Sequence, residues 1–139
     1  MSTQTDLNKA IVRRFNHEGI AQGNLDTLNE LLAPDFINRS GPAGQDNGPQ
    51  SMVYFFRHIL QPAFTDLQVE IYDQVAEGDQ VTTRKAIKGQ HTGELLGVPP
   101  THRPVTIDVI DIYHLREGKL VEHWGITSLP AVLAELAAG

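Results

Sequence analysis

The sequence predicts a single α+β domain in which helices come first and an antiparallel sheet follows. Three observations carry this reading. Near Pro62 the apolar spacing changes from a helical period to strict alternation. Two turns, Glu77-Gly78-Asp79 and Glu117-Gly118-Lys119, each join a pair of alternating runs, as hairpin turns do. Helices and strands are also segregated along the chain, which disfavours a parallel βαβ architecture. A chain of 139 residues can bury roughly two-thirds of its unfolded surface as one domain, and is too short for two good cores.

The elements follow in order. Leu7, Ile11 and Phe15 make an apolar stripe over residues 6–21, with Thr5 or Asp6 able to cap the start and Gly19 and Gly23 near the end. Asn24 caps a second helix whose buried edge is Leu25, Leu28, Leu31 and Leu32, and Ala33-Pro34 closes it. Residues 35–39, DFINR, are extended, and the turn formers of 40–50 make an exposed loop. A third helix over 50–61 turns Met52, Phe55, Phe56, Ile59 and Leu60 inward. Strands are expected at 67–76, 80–89, 105–115 and 120–127, with a Gly- and Pro-rich loop at 91–104. Ser128 and Pro130 open a small C-terminal helix.

Composition removes several function classes. A net charge of −6 is the wrong sign for a nucleic-acid surface. Neither a signal-peptide run nor an 18-residue apolar stretch occurs, so no membrane partner and a cytoplasmic location are expected. Cys is absent, which removes thiol nucleophiles and disulfides. Phosphate-binding Gly motifs are missing, and the six His form no HxxxH or HExxH pair. No cofactor and no metal are therefore expected. Proton transfer or polarisation inside a pocket is the chemistry that remains.

Ionisable groups embedded in apolar strands are the candidates. Asp111 shares a strand face with Val105, Ile107, Val109 and Tyr113, and His123 shares one with Val121 and Gly125. Pairing about Gly118 sets Asp111 opposite Gly125 and Tyr113 opposite His123, so Asp111 and His123 meet on a diagonal. Arg84, in the middle of its strand, is the cation expected to tune Asp111. Burial would raise the Asp111 pKa, suiting a general base, whereas pairing with Arg84 would lower it and suit a structural role. Arg13, Arg14, Lys85 and Lys88 read as solvated charges. His91, in the HTGE turn, reads as a loop-holding group with a possible ligand contact. Trp124 and the apolar Ile110, Ile112 and Ile126 belong to the opposite sheet face, which is expected to be covered in a homodimer.

The run HTGELLGVPPT (91–101), then VIDIY (109–113), then EGKLVEHW (117–124), together with LLAPDFINR (31–39), resembles the SnoaL-like polyketide cyclase family over nearly the whole chain. The resemblance implies a cone: a strongly curved antiparallel sheet wrapped by three N-terminal helices around one apolar cavity. That fold is shared with ketosteroid isomerase, scytalone dehydratase and limonene epoxide hydrolase. Phe15, Phe36, Phe55 and Val109 are expected to line the cavity, with Asn38, Arg84 and His91 among the substrate-binding residues. The cyclases' acid/base aspartate aligns with Gly125, a partner His with Asp111 and a Gln with Val109, while their Asn is matched by Asn38.

The expected function is cofactor-free general acid/base catalysis on an apolar, oxygenated substrate of polyketide or terpenoid size. Asp111 is the acid/base, His123 its proton partner and Asn38 a hydrogen-bond donor. Two alternatives accompany it. One is a non-catalytic dimer binding hydrophobic ligands, favoured by Gly125; the other is a hydrolase or dehydratase on the same cone.

Overall fold

The computed structural model describes residues 3–139. Its elements run α1 (Gln4–Arg14), α2 (Leu25–Leu31), β1 (Leu32–Asn38), α3 (Pro49–Tyr54), α4 (Gln61–Ala63), β2 (Phe64–Glu77), β3 (Gln80–His91), β4 (Pro104–Arg116), β5 (Lys119–Thr127) and α5 (Leu129–Ala138). π-helical segments continue α1 over Phe15–Ala21 and join α3 to α4 over Phe55–Leu60. The strands form one sheet in the order β1-β5-β4-β3-β2. Pairing is antiparallel throughout except between β1 and β5, which run parallel. The short DFINR stretch is thus an edge strand that begins earlier than expected, at Leu32.

Local chemistry explains the boundaries. Thr3, rather than Thr5 or Asp6, caps α1: its side chain accepts from the Asp6 N–H while Asp6 returns a bond to the Thr3 N–H. The buried face of α1 is correspondingly rotated onto Asn8 and Val12, and Leu7 is 48% exposed. In the π segment that follows, Phe15, Gly19 and Ile20 are all buried, an i, i+4, i+5 row that the wider turn turns to one side. Asn24 caps α2 as expected, through the Thr27 N–H. The β4–β5 turn places Glu117 and Gly118 at φ 52° and 79°, the two positive values of a type I′ hairpin.

The sheet curves because its ladders are interrupted. Register shifts occur at Thr65/Gln68 and Ile71/Asp73 between β2 and β3, and at His114/Leu115 between β4 and β5. At the last of these Val121 is the extra residue, so Leu120 and Val121 are both buried. Into the concave side the helices insert Val12, Phe15, Ile20, Phe56 and Leu60. Phe15 meets Phe56 and Tyr113 edge-on, with ring centroids 5.9 Å and 5.6 Å apart. Aromatic packing fills the closed end of the curve and leaves the other end open. No helix among the described residues is long and apolar enough to cross a membrane.

The convex face is apolar in one region. Ile110 pairs directly with Ile126, and Ile112 with Trp124. Ile126 is 73% exposed and Ile110 42%. The expected homodimer rests on this face. Light scattering at micromolar concentration should then give twice 15.3 kDa, and Ile126→Lys should return the mass to 15.3 kDa. A wild-type mass of 15.3 kDa would remove the expectation.

Candidate functional site

Strand alternation builds the site. Val81, Thr83, Lys85 and Ile87 of β3 are buried on the concave face, as are Ile107, Asp111 and Tyr113 of β4 and His123 of β5. Cross-strand register sets Asp111 opposite both Thr83 and Gly125, Tyr113 opposite His123, and Lys85 opposite Val109. This confirms the pairing about Gly118. The open end of the curve is a cavity of about 890 Å³ between this face and α3 with its π extension. Met52, Phe55, Ile59, Ile107 and Val109 make its walls apolar, and Asn38, Lys85, Asp111, Tyr113 and His123 supply the polar groups. The loop over 41–47 and Leu96 contribute to the mouth.

One chain of hydrogen bonds ties the polar groups together. Asn38 Oδ1 accepts from the Ser40 N–H at 3.1 Å, which identifies that atom as the amide oxygen. His123 Nδ1 lies 2.7 Å from the same oxygen and therefore donates. The other ring nitrogen, Nε2, lies 2.6 Å from Asp111 Oδ1. Asp111 Oδ2 is 2.6 Å from Lys85 Nζ, which also donates to Asn16 Oδ1 at 2.5 Å. Asn16 Nδ2 in turn donates to the Val12 carbonyl at 2.9 Å. The line runs from the cavity mouth, through β1, β5, β4 and β3, into the helix behind.

Electrostatics then fix the charge state of the carboxylate. Burial by itself would push the Asp111 pKa up, but the Lys85 ammonium and the His123 bond outweigh it and hold it at about 2. Asp111 is thus ionised at neutral pH and accepts on both oxygens. His123 thus bridges Asn38 Oδ1 and Asp111 Oδ1 through its two ring nitrogens. The Tyr113 phenol is pushed well above its ordinary range by burial and by the Asp111 charge, so it stays protonated.

Of the residues singled out in the sequence, Asp111, His123, Asn38, Val109 and Phe55 meet at the cavity. Arg84 does not. Its parity places it on the convex face, 54% exposed, where it binds Asp73 Oδ2 at 3.0 Å and stacks on Tyr72 at 4.9 Å. Lys85, the next residue and 2% exposed, is the cation that tunes Asp111, and it is not a solvated charge. Phe15 and Phe36 are packed in the core behind the cavity and do not line it. His91 also lies off the cavity: its Nδ1 accepts from the Thr101 N–H at 3.2 Å and meets the Thr101 hydroxyl at 2.9 Å, holding the 91–104 loop. Asn38 meets His123 as an acceptor, leaving its Nδ2 as the donor toward a ligand.

Sequence reasoning missed Lys85, Asn16 and Tyr113. A signal for Lys85 was present, because it alternates in phase with Val81, Thr83 and Ile87. Nothing local marked Asn16. Among the described residues, no group of three or more His, Cys, Asp or Glu side chains could hold a metal ion. Gly125 has a steric reason to be small: a Cβ there would lie 2.9 Å from Asp111 Oδ1 and 3.0 Å from His123 Nε2.

The adjacent cations give opposite expectations. Lys85→Met leaves Asp111 buried without its cation and should lower unfolding free energy by about 3–5 kcal/mol. Adding Asp111→Asn to Lys85→Met should recover part of that loss. Arg84→Met breaks an exposed pair and should change stability little. Urea unfolding of the three variants checks this; equal effects at 84 and 85 would contradict the burial of the pair.

Comparison with known proteins agrees with this architecture. The model of the SnoaL-like polyketide cyclase family matches residues 10–136. Aklanonic acid methyl ester cyclase DnrD of Streptomyces peucetius is 24% identical over 125 residues, spanning 88% of this chain and 83% of the relative. Nogalonic acid methyl ester cyclase of Streptomyces nogalater is 25% identical over 105 residues, spanning 73% and 76%. The crystal structure of IdmH, a candidate polyketide cyclase from Streptomyces antibioticus, superposes with a TM-score of 0.75 at 32% identity, covering 93% of this chain and 97% of that one. The chain belongs to the SnoaL-like polyketide cyclase family.

Proposed function

We propose that this chain closes a ring by intramolecular aldol addition on a polyketide-type substrate, using its own acid/base groups and no cofactor. The observation that carries the reading is the Asp111–His123 pair, 2.6 Å apart, on the floor of an otherwise apolar cavity of about 890 Å³. A cavity of that size suits a ligand of several fused rings. Relatives named as cyclases of aklanonic and nogalonic acid methyl esters support the substrate class.

The charge state shapes the mechanism. An ionised carboxylate of low pKa is a weak base, so it matches a C–H that two flanking carbonyls have already made acidic. Asp111 takes that proton, and the resulting enolate carbon attacks a second carbonyl of the same molecule. The new alkoxide then takes a proton back from the Asp111–His123 pair, leaving the site as it began. Asn38 Nδ2 orients a carbonyl at the mouth. The apolar walls exclude water, which strengthens each of these interactions.

A second reading, a binding protein without turnover, is favoured by Gly125, which stands where the family's cyclases carry their aspartate. The two readings separate on one variant. Asp111→Asn should retain ligand binding and lose at least about 10²-fold in kcat for cyclisation of a nogalonic-type methyl ester, followed by chromatography. Binding without turnover in the wild type would favour the second reading. Full turnover in Asp111→Asn would refute the role given to Asp111.

Positions 111 and 125 also make a joint prediction. Gly125→Asp alone sets a second carboxylate against Asp111 and should destabilise the fold. Asp111→His with Gly125→Asp restores the family pairing and should be the more stable of the two by thermal unfolding.

A further inference from the structure

Tyr113 is 1% exposed, lines the cavity, and forms no hydrogen bond through its hydroxyl to any described residue. The described residues contain a single sealed side-chain nitrogen or oxygen without a partner, and it is His91 Nε2. The Tyr113 hydroxyl therefore keeps access to the cavity. Its ring is fixed on both sides, against Phe15 at 5.6 Å and His123 at 4.7 Å, so the hydroxyl has little freedom to turn elsewhere.

A buried ammonium shares the cavity floor with this hydroxyl. Lys85 contributes a cation, and its partner Asp111 has both oxygens engaged, Oδ2 by Lys85 and Oδ1 by His123. Lys85 has three N–H groups and two recorded acceptors, Asp111 Oδ2 and Asn16 Oδ1, so one N–H remains uncommitted. An apolar-walled pocket with an uncommitted ammonium N–H and an unpaired phenol O–H matches one ligand feature: an oxygen that carries or develops negative charge.

We propose that Tyr113 is an oxyanion-binding residue, donating its hydroxyl proton to the enolate oxygen of the substrate in the field of Lys85. It rests on the aldol reading above for the identity of that oxygen. The same geometry selects phenolates and enolates over their neutral ethers, whether or not turnover follows. Because burial keeps the phenol protonated, the donor remains available across the neutral range.

The test uses 4-nitrophenolate, at a pH where the free phenol is ionised, against the neutral 4-nitroanisole. Wild-type protein should bind the phenolate at least tenfold more tightly than the ether, read by absorbance titration. Tyr113→Phe keeps the ring contacts with Phe15 and His123, and should lower phenolate affinity about tenfold while leaving the ether unchanged. Lys85→Arg, which keeps the charge, should retain the preference for the anion. Equal affinity for the two probes in the wild type, or an unchanged phenolate affinity in Tyr113→Phe, would overturn the proposal. Turnover with unchanged phenolate binding in Tyr113→Phe would sink this inference and leave the aldol reading standing. The reverse pattern, Tyr113-dependent phenolate binding without cyclisation, would support this inference and sink the aldol reading.

Discussion

A buried ion pair organises this protein. Lys85 and Asp111 lie 2.6 Å apart on neighbouring strands, both almost fully removed from water. Taking two charges out of water is expensive, and their attraction repays it only when the remaining valences are also met. Asn16 meets one valence of Lys85 and His123 one of Asp111. Through those partners the pair connects the π segment after α1 to β3, β4, β5 and β1. The same residues that stabilise the closed end of the curve therefore set the polarity of the cavity floor.

The two structural irregularities serve this arrangement. The π segment gathers Phe15, Asn16, Gly19 and Ile20 on one buried face, narrower than an α-helix of the same residues would give. From that face Asn16 accepts from Lys85. Bulges in the β2–β3 and β4–β5 ladders bend a sheet that would otherwise lie too flat to enclose a void. Large aromatics occupy one end of the concavity, so the cavity forms at the other, against the looser packing of Phe55 and Ile59.

Gly125 and Asp111 share one volume. They face each other across the β4–β5 ladder, and a side chain at 125 would run into the Asp111 carboxylate. The resemblance implies that the cyclases' aspartate stands at the β5 position and a His at the β4 position. Here the carboxylate stands on β4, the glycine on β5, and the imidazole is supplied by His123, two residues from Gly125. A carboxylate and an imidazole thus meet across this part of the sheet, 2.6 Å apart. Lys85 and His123 hold this carboxylate below its ordinary range and make it a weak base.

Much of the fold was legible in the sequence. The change from helical to alternating spacing near Pro62, the two hairpin turns and the Asn24 cap are local properties, written in neighbouring residues. The register about Gly118 followed from the turn alone, and with it the meeting of Asp111 and His123. Pairing between distant segments was not local. Whether residue 84 or 85 faces inward depends on the phase of β3 against β4. Arg84 was taken for the Asp111 partner by proximity in sequence, although the buried phase of Val81, Thr83 and Ile87 points to Lys85. Asn16 could not be found, because its role depends on a lysine 69 positions away. The division of the aromatics was equally hidden: Phe15, Phe36 and Phe55 look alike in sequence, yet the first two pack into core and the third faces the void. Sequence by itself determined the elements, their order and the hairpin registers, since turn chemistry and alternation act within a few residues. Tertiary structure alone decided which cation is buried and where packing stops, because both depend on how the curved sheet closes over the helices.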